Sequence, residues 1–225
     1  MLRFPCLVLD HDDTTVDSTR SVNYPQFLEA LSHFRPGMTM SLEEYTLHCF
    51  DPGFYEMCER TLHYTPQEME QHLQMWKDYH KTHHPRFFPG IPELIRQQKD
   101  SGGYICVVSH SSDDVIRAAY EHENVPQPDL IFGAELPAEK RKPSPWPLQE
   151  IMRKLDLTAD QLLMVDDMPH GAIMAKAVGV QFAGAGWYGM LPQIENSMRA
   201  QSDYFFSSVE VLCDFLFRDP NHFKE

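Results

Sequence analysis

Four short apolar runs, Phe4 to Leu9, Tyr104 to Val108, Leu130 to Phe132 and Leu162 to Val165, are unbroken rather than alternating, and each gives way to polar or acidic residues. An unbroken run of strand length suits a strand buried on both faces, the condition of a parallel sheet covered by helices. Helical segments fall between the later runs. Pro92 to Asp100 ends at Ser101-Gly102-Gly103, and Asp113 to His122 follows the candidate caps Ser111 and Ser112. Pro145 to Leu155 and His170 to Val178 continue the alternation, the latter closed by Gly179. Weaker strands at Val180 to Ala183 and Tyr204 to Phe206, with a last helix near Ser208 to Phe217, complete a pattern that predicts a doubly wound, Rossmann-like α/β sheet.

One interval breaks the alternation. Leu9 and Tyr104 are separated by 94 residues, whereas a βαβ unit needs only about 30. A domain-sized insertion is therefore expected, and its periodicity is helical: Tyr24 to Phe34, Ser41 to Phe50, Phe54 to His63, and Pro66 to His83 with Met69, Leu73, Trp76 and Tyr79 as an apolar stripe. Phe88-Pro89-Gly90 marks the return. The expected division is residues 1–16 with 88–225 for the α/β core and 17–87 for the helical insert.

Composition narrows the partners. The 225 residues carry 33 acidic and 19 basic side chains, a formal net charge of −14, so nucleic acids and anionic lipid surfaces are repelled on average. No apolar run approaches the roughly 20 residues of a membrane span. Met1 to Pro5 lead straight into Cys6 to Leu9, without the segment and cleavage site of a secretory signal. The five cysteines, Cys6, Cys49, Cys58, Cys106 and Cys213, are odd in number and widely spaced, and they read as buried free thiols in a reducing cytoplasm. A cytoplasmic protein with no nucleic-acid or membrane partner is expected.

In doubly wound sheets, ligands bind beyond the carboxyl ends of the strands. There the chain places Asp10-His11-Asp12-Asp13-Thr14, Ser109-His110, Lys142-Pro143-Ser144-Pro145 and Asp166-Asp167. Asp10 and Asp12, two positions apart at a strand end, would repel each other in one crevice unless a cation lay between them. Asp166 and Asp167 add oxygens from another strand end, and an all-oxygen site of this kind suits Mg²⁺. A phosphate group would supply a further ligand, with Lys142 as a point charge and Ser109 as a neutral donor toward its oxygens. Singly, each cluster also fits a turn, a cap or a solvated face. Their order is what gives them weight.

The four clusters together resemble the ordered motifs of the haloacid dehalogenase superfamily: Leu7-Val8-Leu9-Asp10-His11-Asp12-Asp13-Thr14 for the first, Val107-Val108-Ser109 for the second, Lys142-Pro143-Ser144-Pro145 for the third and Met164-Val165-Asp166-Asp167 for the fourth. The resemblance, to the phosphoglycolate phosphatase and β-phosphoglucomutase-like branch, implies a Mg²⁺-dependent hydrolase of small phosphate monoesters. Asp10 would be the nucleophile that forms an aspartyl-phosphate and Asp12 the general acid and base. It implies Mg²⁺ held by Asp10, the Asp12 backbone carbonyl and Asp167, with Asp166 auxiliary, and a phosphate cradle of Ser109, Lys142 and the residue at His110. It also implies that the insert is a helical cap that selects the substrate; the 32 residues between Ser109 and Lys142 leave no room for a cap there.

Departures from the pattern are Asp13 where Gly is usual, Thr15 where an apolar residue is typical, His110 where Asn is common, and Gly171 in place of a further Asp. His11 is expected to pack inward, because alternation turns it from the face of Asp10 and Asp12. His80 and His84, one helical turn apart, with His63, His72 and His83, invite a zinc site, but no third ligand completes a pattern, and a solvated or cap-facing helix surface is expected. The alternatives are a sugar-phosphate mutase of the β-phosphoglucomutase type, a dehalogenase, against which Asp12 speaks, and a non-catalytic binding protein, against which the complete catalytic set speaks. Oligomeric state is not legible.

Overall fold

The computed structural model describes residues 2–218 and divides the chain into two compact units, Met1–Val16 with Arg86–Glu225 and Asp17–Pro85. Along the chain, β1 (Cys6–Leu9) is followed by α1 (Tyr24–Phe34), α2 (Leu42–Phe50), α3 (Phe54–Glu56) and α4 (Pro66–His80) of the second unit. The first unit resumes with α5 (Ile91–Asp100), β2 (Tyr104–Val108), α6 (Asp113–His122), β3 (Leu130–Phe132), α7 (Trp146–Leu155), β4 (Leu162–Asp166), α8 (Pro169–Val178), β5 (Gln181–Ala185), α9 (Pro192–Gln201), β6 (Tyr204–Phe206) and α10 (Val209–Phe217).

The six strands form one parallel sheet in the order β3-β2-β1-β4-β5-β6. Strand order reverses between β1 and β4, so a crevice opens beyond their carboxyl ends. Register holds those ends level: Leu9 pairs with Val107 on one side and Val165 on the other. The unbroken apolar runs are explained by burial, since every residue of β1 and β4 is buried, as is all of β2 after Tyr104. Leu94 and Ile95 of α5, Ile116 and Tyr120 of α6, Leu148 and Ile151 of α7 and Met174 of α8 are also buried, each such side chain contributing about 1.5–3 kcal/mol. The chain leaves this unit at Val16 and re-enters beside it, Val16 bridging Phe87 and Phe88 donating its amide to the Thr15 carbonyl at 3.1 Å.

Two details depart from the expected pattern. Helix α9 has only Ile194 and Met198 on its buried side, too thin a stripe to register as a helical period. Ser112 is the N-cap of α6, but its hydroxyl makes no capping bond. Glu135 instead accepts from the Asp113 amide at 2.9 Å, and the Ser111 hydroxyl is engaged elsewhere.

The helical unit has its own core of Phe27, Leu31, Met40, Tyr45, Met57, Cys58, Leu62 and Tyr64. Ser41 and Thr65 each form a capping box with the glutamate three residues on, which starts α2 and α4. Arg35 fastens the end of α1 to the start of α4: it pairs with Glu68 through both carboxylate oxygens, at 2.7 and 3.1 Å, and donates to the Leu62 and His63 carbonyls. The inward stripe of α4 runs through His72, Trp76 and His80, so of the solvated or cap-facing surface expected for its histidines, His72 and His80 take the inward side. His72 is 1% exposed. Its ring stacks on Phe27 and Phe34, and its Nε2 lies 3.2 Å from the Gln26 Oε1; Trp76 and His80 both reach Asn23 Oδ1. Flat, partly apolar imidazoles pack as aromatics here, which hydropathy does not anticipate. Among the described residues, no metal-ligating group of three includes an insert histidine.

Burial lowers the His72 pKa to about 4 from 6.5. The unfolded chain therefore takes up this proton first, and the neutral ring's contribution is complete above pH 6.5 and lost as pH falls from there through 4, to a limit of about 3 kcal/mol. Urea denaturation of the full chain at stepped pH should show this slope in the wild type and a flatter one in His72→Gln.

Candidate active site

Strand β1 delivers Asp10 at its carboxyl end, anchored by its amide donating a hydrogen bond of 2.9 Å to the Val165 carbonyl of β4. The following loop turns at Asp13, whose φ of +52° lies in the left-handed region; glycine does this freely, while Asp accepts it at a cost of about 1 kcal/mol. Thr15, the polar residue in an otherwise apolar place, donates to the Asp10 carbonyl at 2.5 Å. Thr14 donates to Asp167 Oδ1 at 3.1 Å, and its carbonyl accepts from Trp187 Nε1 at 3.0 Å. The loop is thus held by its own hydroxyls.

Strand β4 ends in Asp166 and is followed by Asp167, both buried. Carboxylate oxygens of Asp10, Asp166 and Asp167 all lie within 4.8 Å of one another. Lys142, itself buried, places its Nζ 2.8 Å from Asp10 Oδ1 and 2.8 Å from Asp166 Oδ2. Asp166 Oδ1 accepts from the Met168 amide at 2.8 Å, so both Asp166 oxygens are occupied. Three carboxylates facing one ammonium leave a deficit of positive charge. Burial, opposed in part by Lys142, raises the Asp166 pKa to about 7, and burial with the neighbouring carboxylates raises that of Asp167 well above its ordinary value. Burial acts to lower the Lys142 pKa, but Asp10 and Asp166 outweigh it and raise it. A divalent cation among these oxygens would remove the deficit, and the all-oxygen donor set is one that a hard cation accepts.

Ser109 is buried just past β2, with its amide bonded to the Phe132 carbonyl at 3.1 Å and its Oγ accepting from the Ser111 amide at 3.2 Å. His110 directs Nε2 to the Lys142 carbonyl at 3.1 Å and sets its ring against His170, centroids 5.6 Å apart. Its side chain therefore pins the backbone that carries Lys142. Asp12 lies outside the carboxylate cluster; it is half-buried, and its Oδ2 accepts from the Ser111 hydroxyl at 2.5 Å. His11 is fully buried, its ring stacked on Tyr120, and burial lowers its pKa. In the sequence Ser111 reads as a candidate helix cap, Thr14 as the end of the first cluster and Thr15 as a departure from the motif, and none of these readings points to the bonds they make here. Their partners lie up to 153 residues away, and the one local signal was Thr15, a hydroxyl in an apolar place.

Gly171 owes its identity to Asp166. A Cβ at this position would lie 2.4 Å from Asp166 Oδ2 and 2.7 Å from its Cβ. A side chain here and the carboxylate that grips Lys142 compete for the same space.

A parallel doubly wound sheet with a lysine-bridged carboxylate cluster at its switch point defines an α/β enzyme with an acidic active centre. Residues 7–185 match the family described as Haloacid dehalogenase-like hydrolase, and the chain belongs to that family. It is 22% identical over 179 residues to the pyrophosphatase PpaX of Bacillus pumilus, covering 78% of this chain and 80% of that protein. It is 34% identical over 95 residues to the phosphoglycolate phosphatase of Rhodospirillum rubrum, covering 41% and 39%. Among solved structures, a CbbY variant from Rhodobacter sphaeroides in complex with xylulose 1,5-bisphosphate aligns with a TM-score of 0.71 at 20% identity, over 92% of this chain and 95% of that one; this last is a likeness of fold.

Gly171→Ala is expected to push the Asp166 carboxylate off Lys142 and leave a buried charge poorly paired, at a cost of about 3 kcal/mol or more. The thermal midpoint and the turnover of the variant should fall together.

Proposed function

We propose that the protein is a Mg²⁺-dependent phosphatase of small phosphate monoesters, working through a phospho-aspartate on Asp10. The observation that carries this reading is the Asp10–Lys142–Asp166 bridge beside Asp167, with its deficit of positive charge. Asp10, Asp167 and the Asp12 backbone carbonyl would hold the cation. Asp166, with both oxygens taken by Lys142 and the Met168 amide, would orient the lysine rather than ligate directly. When bound, the cation supplies charge neutralisation to the phosphoryl oxygens and lowers repulsion toward the Asp10 nucleophile.

In the first step the Asp10 oxygen not paired with Lys142 attacks phosphorus. The P–O bond to the leaving group breaks, and Asp12 gives its proton to the departing alkoxide. In the second step Asp12 takes a proton from a water whose oxygen attacks the phospho-aspartate, releasing inorganic phosphate and restoring both carboxyl groups. Lys142 and the Ser109 hydroxyl would hold the phosphoryl oxygens through both steps. The named relatives act on pyrophosphate and phosphoglycolate, which makes small phosphorylated anions the substrate class to try first. A cytoplasmic location fits the free thiols of Cys6, Cys58, Cys106 and Cys213; among the described residues, no helix is long and apolar enough to cross a membrane.

Purified protein with Mg²⁺ should release phosphate from an aryl phosphate and from at least one of phosphoglycolate, pyrophosphate and a sugar phosphate. Asp10→Asn should lower turnover by at least about 10³-fold; unchanged turnover would falsify the assignment of the nucleophile. Because the Asp166 and Asp167 carboxyls are held above their ordinary range without a cation, Mg²⁺ must displace protons from them. Its affinity should weaken as pH falls below about 7, and calorimetry in buffers of different ionisation enthalpy should register proton release at neutral pH.

A further inference from the structure

We infer that Ser111 is a positioning residue for Asp12, fixing which of its two carboxyl oxygens carries the proton exchanged with the leaving group and with water. This rests on the reading of Asp12 as general acid and base and adds a residue that the four motifs do not contain.

Ser111 is 4% exposed and is held from three sides. Its amide donates to Ser109 Oγ at 3.2 Å, and its carbonyl accepts from the Ala134 amide at 2.9 Å. Its hydroxyl donates to Asp12 Oδ2 at 2.5 Å. The second of these contacts needs Gly133, because a Cβ there would lie 2.6 Å from the Ser111 carbonyl oxygen and 2.4 Å from Asp113 Oδ1. A helix-capping role does not account for the hydroxyl. The N-cap of α6 is Ser112, and the Asp113 amide is taken by Glu135.

The chemical consequence follows from counting donors and acceptors. A half-buried aspartate at a loop can rotate its carboxyl plane and carry its proton on either oxygen. A hydroxyl fixed by backbone bonds and donating to Oδ2 holds that plane and makes Oδ2 an acceptor. The acid proton is then confined to Oδ1. From Oδ1 it passes to the leaving oxygen as the bond to phosphorus breaks, and to Oδ1 it returns from the attacking water, while the serine proton stays on Oγ throughout. Ser109 and Ser111 act as a pair: one lies in the phosphate cradle, and the other, braced by the first, orients the acid. General acid catalysis depends on this kind of hydrogen-bond geometry.

The test uses the full chain with Mg²⁺ and a series of aryl and alkyl phosphates graded in leaving-group acidity, with kcat/KM reporting the first chemical step. A departing nitrophenolate needs little help from an acid, whereas an alkoxide needs much. Ser111→Ala should lower kcat/KM by about 10-fold or more for alkyl phosphates and by less than about 3-fold for nitrophenyl phosphate. Ser111→Cys, which keeps the volume with a weak donor, should behave likewise and carries the test if the alanine variant does not fold. Ser111→Thr should restore the wild-type dependence on leaving group. In an Asp12→Asn background, Ser111→Ala should cause no further loss. A loss of equal size for every leaving group, or a full additional loss in the Asp12→Asn background, overturns the inference. Activity surviving in Asp10→Asn would overturn the phospho-aspartate reading beneath it, which keeps the two failures apart.

Discussion

A single buried lysine between two aspartates organises the first unit of this protein. Lys142 lies 2.8 Å from both Asp10 and Asp166; the two aspartates come from the ends of β1 and β4, and the lysine from the segment that leads into α7. An ion pair taken out of water repays its desolvation only when geometry is good and the remaining lone pairs are satisfied. Here the Met168 amide satisfies Asp166 and His110 pins the lysine's own backbone. The arrangement still leaves Asp167 without full compensation. A site built this way is electrostatically incomplete, and that incompleteness is what the proposed cation and phosphoryl group would relieve, in a chain that as a whole carries a charge of −14.

Close approach is the second constraint. Gly171 is small because Asp166 needs the space, and Gly133 is small because the Ser111 carbonyl and Asp113 come within 2.6 Å of where a side chain would begin. Hydroxyls then do the fine placement: Thr15 on the Asp10 carbonyl, Thr14 on Asp167, Ser111 on Asp12. Hydroxyls add hydrogen bonds without adding charge to a site already crowded with carboxylates. The absence of a further acidic residue at position 171 follows from the same geometry, since Asp166 fills that volume.

The helical unit obeys different rules. Its core is aromatic and methionine-rich, and its α1 and α4 are joined by the Arg35–Glu68 pair. Of the two settings expected for its histidines, solvated or cap-facing, His72 and His80 take the inward one, because an imidazole beside aromatic rings with an amide partner packs as a core residue. Helix α9 was missed for a related reason: two apolar residues four apart suffice when the neighbouring sheet supplies the rest of the buried surface.

The sequence by itself determined the strands and the polar and acidic residues that follow them. Unbroken apolar runs report burial on both faces, and a strand that stops in aspartate at the crevice end of a parallel sheet has few structural uses. It also determined that a helical unit interrupts the core, since 94 residues exceed any single crossover. Only the tertiary structure decided what each polar atom meets. Ser111 and Asp12 are 99 residues apart, and Thr14 and Asp167 are 153 apart. Such bonds depend on how neighbouring strands are registered and how closely loops approach across the switch point. A hydrogen bond is made or lost within a few tenths of an ångström, a scale that hydrophobic periodicity does not encode.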